Sequence, residues 1–501
     1  MSLGSPSPAA EHLGIAIIGA GFGGIGMAIS LADAGIHDFA VLERAATLGG
    51  TWRDNTYPGC ACDVASSLYS FSFAPNPDWS RVYSKQPEIL DYLHKVARAR
   101  DVERHIRYGH ELIEARWDEH RLLWVLNTSQ GSLTASILVT AVGALGSPQT
   151  PNIPGLKNFA GRVFHTAAWD HDYDLAGKKV AVIGTGASAV QVVPAIQPKV
   201  ASLAIFQRTP IWVLPRMDTA TSAAWRWLRR RIPLVQRTAR AGWYGFYESI
   251  VGLPQFVDQR FLGAFEAVGR YQLRRQVRDA GLRAKLTPKY RFACKRPAVS
   301  DDYYPAICGA NVELVTSGIA RITQSAVVTD DGVHHEVDAL ILATGFKVPH
   351  DISARIVGEG ARTLSDFYGP HPNAYLGTTV TGYPNLFTLS GPFSGPGNQS
   401  FIYMLECQFK YVTSAVVTMR QRSIAALNTR ADVQGVFHRE MDQRSKGTSW
   451  VSGGCTGYYQ NAEGGNAGLW PHWSFLYGRR TRRFDVRKYE IIRRNGVEAA
   501  S

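Results

Sequence analysis

The chain has 501 residues, 45% of them hydrophobic and 19% charged, with 48 glycines that follow no collagen-like period; this is a globular composition, too long for one ordinary core. Its 54 Lys and Arg against 41 Asp and Glu leave a net charge of +13, but no zinc spacing, RNA-binding signature or helix-turn-helix pattern accompanies the charge, so no nucleic-acid partner is expected. No apolar run is long enough to span a bilayer and the 6 cysteines make no CxxC pair, so a reduced, cytoplasmic protein without a metal site is expected.

The first residues, MSLGSPSPAA, are expected to be disordered, and the start lacks the cationic and apolar segments of a secretory signal. Residues 13–44, LGIAIIGAGFGGIGMAISLADAGIHDFAVLER, read as strand, tight turn, helix and strand. Ile15–Ile18 is a buried parallel strand, and Gly19, Gly21 and Gly24 form G-x-G-x-x-G. Those glycines let the backbone turn tightly and bring a pyrophosphate to a helix N-terminus. Glu43 ends the second strand, where a carboxylate accepts hydrogen bonds from a ribose 2′-hydroxyl. LGGTWRDNTYPGCACD (48–63) follows; Cys60 and Cys62, one residue apart, would close a strained ring and are expected as buried free thiols.

Residues 135–155 and 337–349 each read as a buried strand ending in a small-residue turn, the pattern of a chain crossing between two nucleotide domains. Soon after the first of these comes FAGRVFHTAAWD (159–170), in which a lone histidine stands among aromatics. Residues 178–210 then repeat the first unit, with Gly184, Gly186 and Ala189 as the turn. Arg208 follows Gly184 by the interval at which Glu43 follows Gly19, and Thr209 adds a hydroxyl. A carboxylate repels a 2′-phosphate and an arginine fork binds one, so the first unit is expected to take a dinucleotide with a free ribose and the second NADPH. Electron transfer from NADPH to a second dinucleotide with its own redox ring implies FAD.

Residues 218–293 read as amphipathic helices rich in Trp, Tyr, Phe and Arg, capping the NADPH domain and shaping the substrate entry. Their basic-aromatic face suits contact with an anionic membrane, but the preferred reading is a core-facing aromatic stripe with arginines in water. The expected architecture is α/β, with two Rossmann-like dinucleotide-binding domains. Residues 12–150 and 386–501 form the FAD domain, 151–217 and 294–385 the NADPH domain, and 218–293 the helical insertion.

Segment 48–63 resembles the flavin-dependent monooxygenase pattern G-G-x-W, four residues, Tyr-Pro-Gly, three residues, Asp, at Gly49, Gly50, Trp52, Tyr57, Pro58, Gly59 and Asp63. In disulfide reductases of similar build one redox cysteine follows G-G-T at once and the second comes five residues later; Trp52 and Tyr57 hold those places here. FAGRVFHTAAWD matches the Baeyer–Villiger monooxygenase motif F-x-G-x-x-x-H-x-x-x-W-[P/D] at Phe159, Gly161, His165, Trp169 and Asp170. The resemblance to that family runs over nearly the whole chain. GPFSGPGNQS (391–400) and LWPHWSFLYGRRTRRFDVRKY (469–489) are similar to its hydroxyacetophenone-monooxygenase-type branch rather than the cyclohexanone type.

The resemblance implies a FAD- and NADPH-dependent enzyme that uses O2, through a flavin C4a-peroxide, to turn ketones into esters or lactones. It places the active-site arginine at Arg296, after Lys295 in CKRPAVSDDYYPAICGANVELV (294–315). The permanent charge of Arg296 suits negative charge on oxidant and adduct, with Asp63 as the partner holding Arg296 and the nicotinamide amide. His165 falls at the domain junction and is not expected to act as a base. Expected cofactor contacts are Gly19, Gly21, Phe22, Gly24, Glu43, Arg44, Thr51, Trp52, Asp63, Tyr69, Thr185, Gly186, Ala187, Ser188, Ala189, Gln191, Arg208, Thr209, Lys295 and Ser400. One alternative is a flavin monooxygenase oxidising amine nitrogen or sulfide sulfur. Another, of a different class, is a non-catalytic flavin-binding redox sensor.

Overall fold

The computed structural model describes residues 11–347, 351–397, 399–457, 459–461 and 463–493. Outside them lie the first ten residues, expected to be disordered, Val348 and Pro349 at the end of the second crossover segment, and the last eight residues of the expected FAD domain.

Short apolar runs form buried strands, and the first of them opens through a glycine turn into a helix, as burial on both sheet faces requires. The first unit comprises β1 (His12–Ile18), α1 (Phe22–Asp33), β2 (Phe39–Glu43), α2 (Thr51–Asp54), α3 (Gln86–Ala99) and β3 (Ile106–Tyr108). An antiparallel meander follows: β4 (Leu112–Asp118), β5 (Leu123–Thr128) and β6 (Gly131–Thr140), the last returning parallel beside β1. The second unit has β7 (Arg162–His165), β8 (Lys179–Ile183), α4 (Ala187–Ile196), β9 (Ser202–Phe206) and β10 (Val213–Leu214). Helices α5 (Ala223–Arg231), α6 (Pro233–Phe256), α7 (Leu262–Gln276) and α8 (Ala280–Leu286) interrupt it. It resumes with β11 (Ala298–Val299), α9 (Tyr303–Ile307), β12 (Val312–Val315), β13 (Ile319–Ile322), β14 (Ala326–Thr329), β15 (His334–Glu336) and β16 (Ala339–Leu342). The chain closes with β17 (Ile356–Val357), α10 (Leu364–Tyr368), β18 (Leu386–Thr388), α11 (Phe401–Gln421) and β19 (Ile424–Thr429). After these come α12 (Ala431–Lys446), α13 (Ser449–Ser452), α14 (Ser474–Arg480) and β20 (Tyr489–Arg493).

Two sheets organise these elements. The first has the order β17–β4–β5–β6–β1–β2–β3, with β18 also on β6; the second is parallel, in the order β12–β9–β8–β16–β7. FAGRVFHTAAWD supplies the edge strand β7 of the second sheet, with His165 opposite Leu342. The return to the first sheet comes earlier than the expected boundary at residue 386: Ile356 of β17 already pairs with Ala115 of β4. The hydrogen-bonding edge of β4 captures this segment before the chain reaches β18. α1 packs on α11 so closely that a Cβ at Gly26 would stand 2.3 Å from the Phe409 ring.

The insertion departs from expectation in two ways. It does not simply cap the second unit, because α6 is bolted to the first. Arg240 donates to the carbonyls of Ser67, Leu68 and Ser70 at 3.2, 3.2 and 2.8 Å, and the amide and hydroxyl of Ser474 donate to Glu248 at 2.7 Å each. Nor is the aromatic stripe wholly core-facing. Trp243, Tyr244 and Tyr247 pack inward, but α5 buries none of its residues and Trp227 is 58% exposed.

The expectation of reduced cysteines is also corrected: Cys294 and Cys455 form a disulfide, tying the segment before Arg296 to the loop after α13. Cys60, Cys62, Cys308 and Cys407 are free. Among the described residues no helix is long and apolar enough to cross a membrane.

Candidate active site

At the first turn the backbone itself makes the cradle. Gly19 has φ +103°, and a Cβ at Gly24 would lie 1.8 Å from the Gly19 carbonyl oxygen, so any side chain there would push the turn apart. α1 begins at Gly21 with no side-chain cap, which leaves its first N–H groups directed at whatever anion the turn admits. Gly50, at φ +53°, brings the Gly-Gly turn within 3.6 Å of a Cβ position at Gly21, and the Gly49 N–H donates to the Ala20 carbonyl at 2.9 Å. Glu43 is buried and accepts from the Ala20 N–H (2.8 Å), the Ala45 N–H (3.0 Å) and the Arg53 guanidinium (2.9 Å), which fix its orientation at the end of β2. Buried Phe22 meets Tyr69 edge-on at 5.4 Å, and the Trp52 indole N–H donates to the Tyr69 hydroxyl at 3.1 Å, forming an aromatic wall beside the turn. Thr51 opens α2 next to this wall.

The second turn repeats the logic. Gly184 has φ +110°, and a Cβ there would sit 2.4 Å from the Ala343 carbonyl oxygen. α4 likewise starts at an uncapped glycine, Gly186, with Ala187 exposed, Ser188 half-buried and Ala189 fully buried against the sheet. The Thr185 hydroxyl donates to the Thr209 carbonyl at 3.0 Å, fixing the end of β9 against the turn. Lys295 comes to this end from the far side of the insertion. Its ammonium is pushed below the ordinary lysine value by burial and then by the charge of Arg208, and it lies 5.6 Å over the Tyr290 ring. Two cations converging on one strand end cost energy unless an anion joins them.

Asp63 and Arg296 join the two units. Arg296 Nε donates to Oδ2 and Nη2 to Oδ1, both at 2.8 Å, a planar fork that a lysine cannot copy. Burial alone would raise the Asp63 carboxyl, but the charge and hydrogen bonds of Arg296, with Arg216 nearby, hold it below the usual aspartate value. Asp63 therefore stays ionised at neutral pH and keeps the guanidinium plane fixed.

Burial disfavours the thiolate at both free thiols beside this pair. Burial pushes Cys60 up to about 11 and Cys62 higher still, so neither supplies a thiolate at neutral pH. Cys62 instead accepts from the Val64 N–H at 3.4 Å. Trp52 and Tyr57 stand where a reductase would place its dithiol, and both are buried.

Three of the expected cofactor contacts also have protein partners of their own, and so does His165. The Gln191 side chain is consumed by a domain contact: Tyr57 donates to its Oε1 at 2.8 Å, and its Nε2 donates to the Ala61 carbonyl at 2.9 Å. Ser400 is fully buried and caps α11, accepting from the Ile402 N–H at 3.2 Å. Arg44 points outward, its side chain half-exposed and 3.9 Å from Asp54. His165 accepts from the Ala167 N–H at 3.0 Å and is held below the ordinary histidine value by burial, which makes it a neutral corner piece, as the motif implies. Two residues escaped the sequence reading. Arg53 braces Glu43, Asp54 and the Thr47 carbonyl; Arg216 donates to the Cys62 carbonyl at 3.2 Å and lies over the Tyr83 ring.

The chain is similar to known proteins both in sequence and in fold. Residues 16–223 match a family model described as pyridine nucleotide-disulphide oxidoreductase. A Streptomyces coelicolor protein described as a Baeyer-Villiger monooxygenase is 45% identical over 489 residues, 96% of this chain and 93% of that protein. A Pseudomonas aeruginosa protein of the same description is 43% identical over 490 residues, 97% of this chain and 93% of that one. Among solved structures, a cyclohexanone monooxygenase from Rhodococcus sp. Phi1 bound to NADP+ superposes with a TM-score of 0.87 at 27% identity, covering 97% of this chain and 100% of the other. An oxidized steroid monooxygenase bound to NADP gives 0.84 at 27% identity, covering 96% and 99%.

Proposed function

The chain belongs to the Baeyer–Villiger monooxygenase family, and from that premise we propose that it converts ketones to esters or lactones with FAD, NADPH and O2. The observation that carries this reading is the Arg296–Asp63 fork, which links the loop after the first dinucleotide turn to the segment that resumes the second unit.

When bound, FAD supplies the ring that activates O2 and NADPH supplies the hydride. The chain's own residues do the rest. The Gly19–Gly24 turn and the N-terminus of α1 hold the first pyrophosphate, and Glu43 accepts its ribose hydroxyls. Arg208, Lys295 and Thr209 hold the 2′-phosphate of NADPH, the anion that relieves the Arg208–Lys295 repulsion. Phe22, Trp52 and Tyr69 keep water from the reacting face. Arg296 places a fixed positive charge where negative charge develops on the ketone oxygen, and Asp63 orients that charge.

We place the chain nearer the hydroxyacetophenone-type branch, on the strength of GPFSGPGNQS and the C-terminal LWPHWSFLYGRRTRRFDVRKY. The deciding experiment incubates the FAD-loaded protein with NADPH and O2 against a panel of ketones and sulfides and scores products by mass. An ester or lactone one oxygen heavier than its ketone supports the reading. Sulfoxide without ester transfers it to the heteroatom oxygenases, and tightly bound FAD with no NADPH consumption transfers it to the redox sensors.

A further inference from the structure

The corner between α5 and α6 exposes what a water-soluble surface normally hides. Trp227 is 58% exposed, Leu234 64%, and Met217, at the entry to the insertion, 72%; Trp225 and Ile232 are exposed beside them. Phe246 and Leu253, seven residues apart further along α6, are also exposed. Patches of contiguous apolar residues on this scale mark contact with a partner or a membrane.

The charge at the same corner selects between these. No acidic residue occurs between Asp218 and Glu248, whereas Arg226, Arg229, Arg230, Arg231 and Arg237 do. Arg230 is paired with Asp78 at 2.6 Å; among the described residues Arg226, Arg231 and Arg237 face no carboxylate within ion-pair distance. Arg229 lies 5.3 Å over the Trp225 ring, and its shielded Nε has no hydrogen-bond partner among the described residues. It lines a cavity of about 270 Å³ together with Arg81, Thr219, Ser222, Trp225 and Trp243. Exposed tryptophan and leucine mixed with arginine on a short amphipathic helix, with acid excluded, is the composition of an interfacial anchor.

We propose that the α5–α6 corner docks on an anionic lipid bilayer, with Trp227, Ile232 and Leu234 entering the headgroup–acyl boundary and the arginines facing phosphate. The rest of α6 is fastened to the first unit through Arg240 and Glu248, so the corner is presented rigidly. Glu248 and Arg240 face away from the docking surface and are left alone in the test.

Co-sedimentation of the full chain with phosphatidylcholine vesicles, with and without a quarter of phosphatidylglycerol, reads this directly. Binding is expected to the anionic vesicles, and weaker in high salt. One arginine near such a surface is worth about fivefold in partitioning, so Arg226→Ala, Arg231→Ala and Arg237→Ala together should weaken binding on the order of a hundredfold. Trp227→Glu with Leu234→Glu should abolish it while the melting temperature stays at the parent value, because both side chains are exposed. Parent protein that ignores anionic vesicles overturns the proposal, as does binding that the Trp227→Glu, Leu234→Glu pair leaves intact. A parent dimer in sedimentation that these substitutions dissolve, without any vesicle binding, also overturns it and assigns the corner to a second copy of the chain.

Discussion

Replacing Arg208 with alanine separates the two nicotinamide cofactors. Arg208 stands just after β9, and its charge, after burial, lowers the affinity of Lys295 for its proton. A bound 2′-phosphate turns that repulsion into a shared attraction. A charge-assisted hydrogen bond to phosphate is worth about 1.5–3 kcal/mol, which corresponds to roughly ten- to 150-fold in binding. Loss of Arg208 also frees Lys295 from repulsion, and the remaining ammonium then compensates in part. Arg208→Ala should therefore fall toward the lower end, about tenfold in the Michaelis constant for NADPH, with NADH almost unchanged. The Arg208→Ala, Lys295→Ala double variant should lose more than the two single losses combined, since each cation covers for the other. Steady-state kinetics with both nucleotides checks this. Equal losses for NADPH and NADH would refute the phosphate placement.

Three further outcomes follow from the same geometry. Cys60→Ser with Cys62→Ser should keep flavin reduction by NADPH, since neither thiol ionises at neutral pH; folded protein in which reduction has vanished would restore the disulfide-reductase reading. Gly24→Ala would set a methyl group 1.8 Å from the Gly19 oxygen and should yield protein without FAD, read from the flavin absorbance of the purified chain. Asp63 has its folded value depressed, so its contribution to stability is present above the ordinary aspartate value of 3.8 and is lost as pH falls through the lower, folded one. In melts across that acid range Asp63→Asn should show a shallower decline than the parent, and an identical decline would contradict the ion pair.

The two dinucleotide units were legible because their glycines answer a local demand: Gly19 and Gly184 both adopt positive φ, and nothing larger fits beside Ala343. The Asp63–Arg296 pairing, 233 positions apart, was legible only through the family resemblance, since no local pattern relates residues so far separated. Gln191 and Ser400 have structural roles that the sequence did not show, for a shared reason. Both sit near a cofactor turn in sequence, yet their side chains settle a buried polar demand of the fold, a domain contact in one case and a helix cap in the other. The orientation of α5 was hidden because an amphipathic pattern shows that a helix has two faces and not which one meets protein. The Cys294–Cys455 bond, across 161 residues, and the early return of β17 to β4 are long-range pairings of the same opaque kind.

The central claim is that Arg296 serves the oxygenation of the ketone and not the assembly of the holoenzyme. Its most direct test measures flavin reduction by rapid mixing with NADPH, FAD content and ester yield in Arg296→Ala and Arg296→Lys. Loss of one oriented donor at a developing oxyanion costs about 2.7–4 kcal/mol, or a hundred- to thousandfold in rate. Both variants are expected to bind FAD and to be reduced by NADPH, and to make ester at no more than a hundredth of the parent rate. Lysine fails with alanine because a single ammonium cannot keep the two-point contact with Asp63. An Arg296→Ala protein that still forms ester near the parent rate would contradict the account.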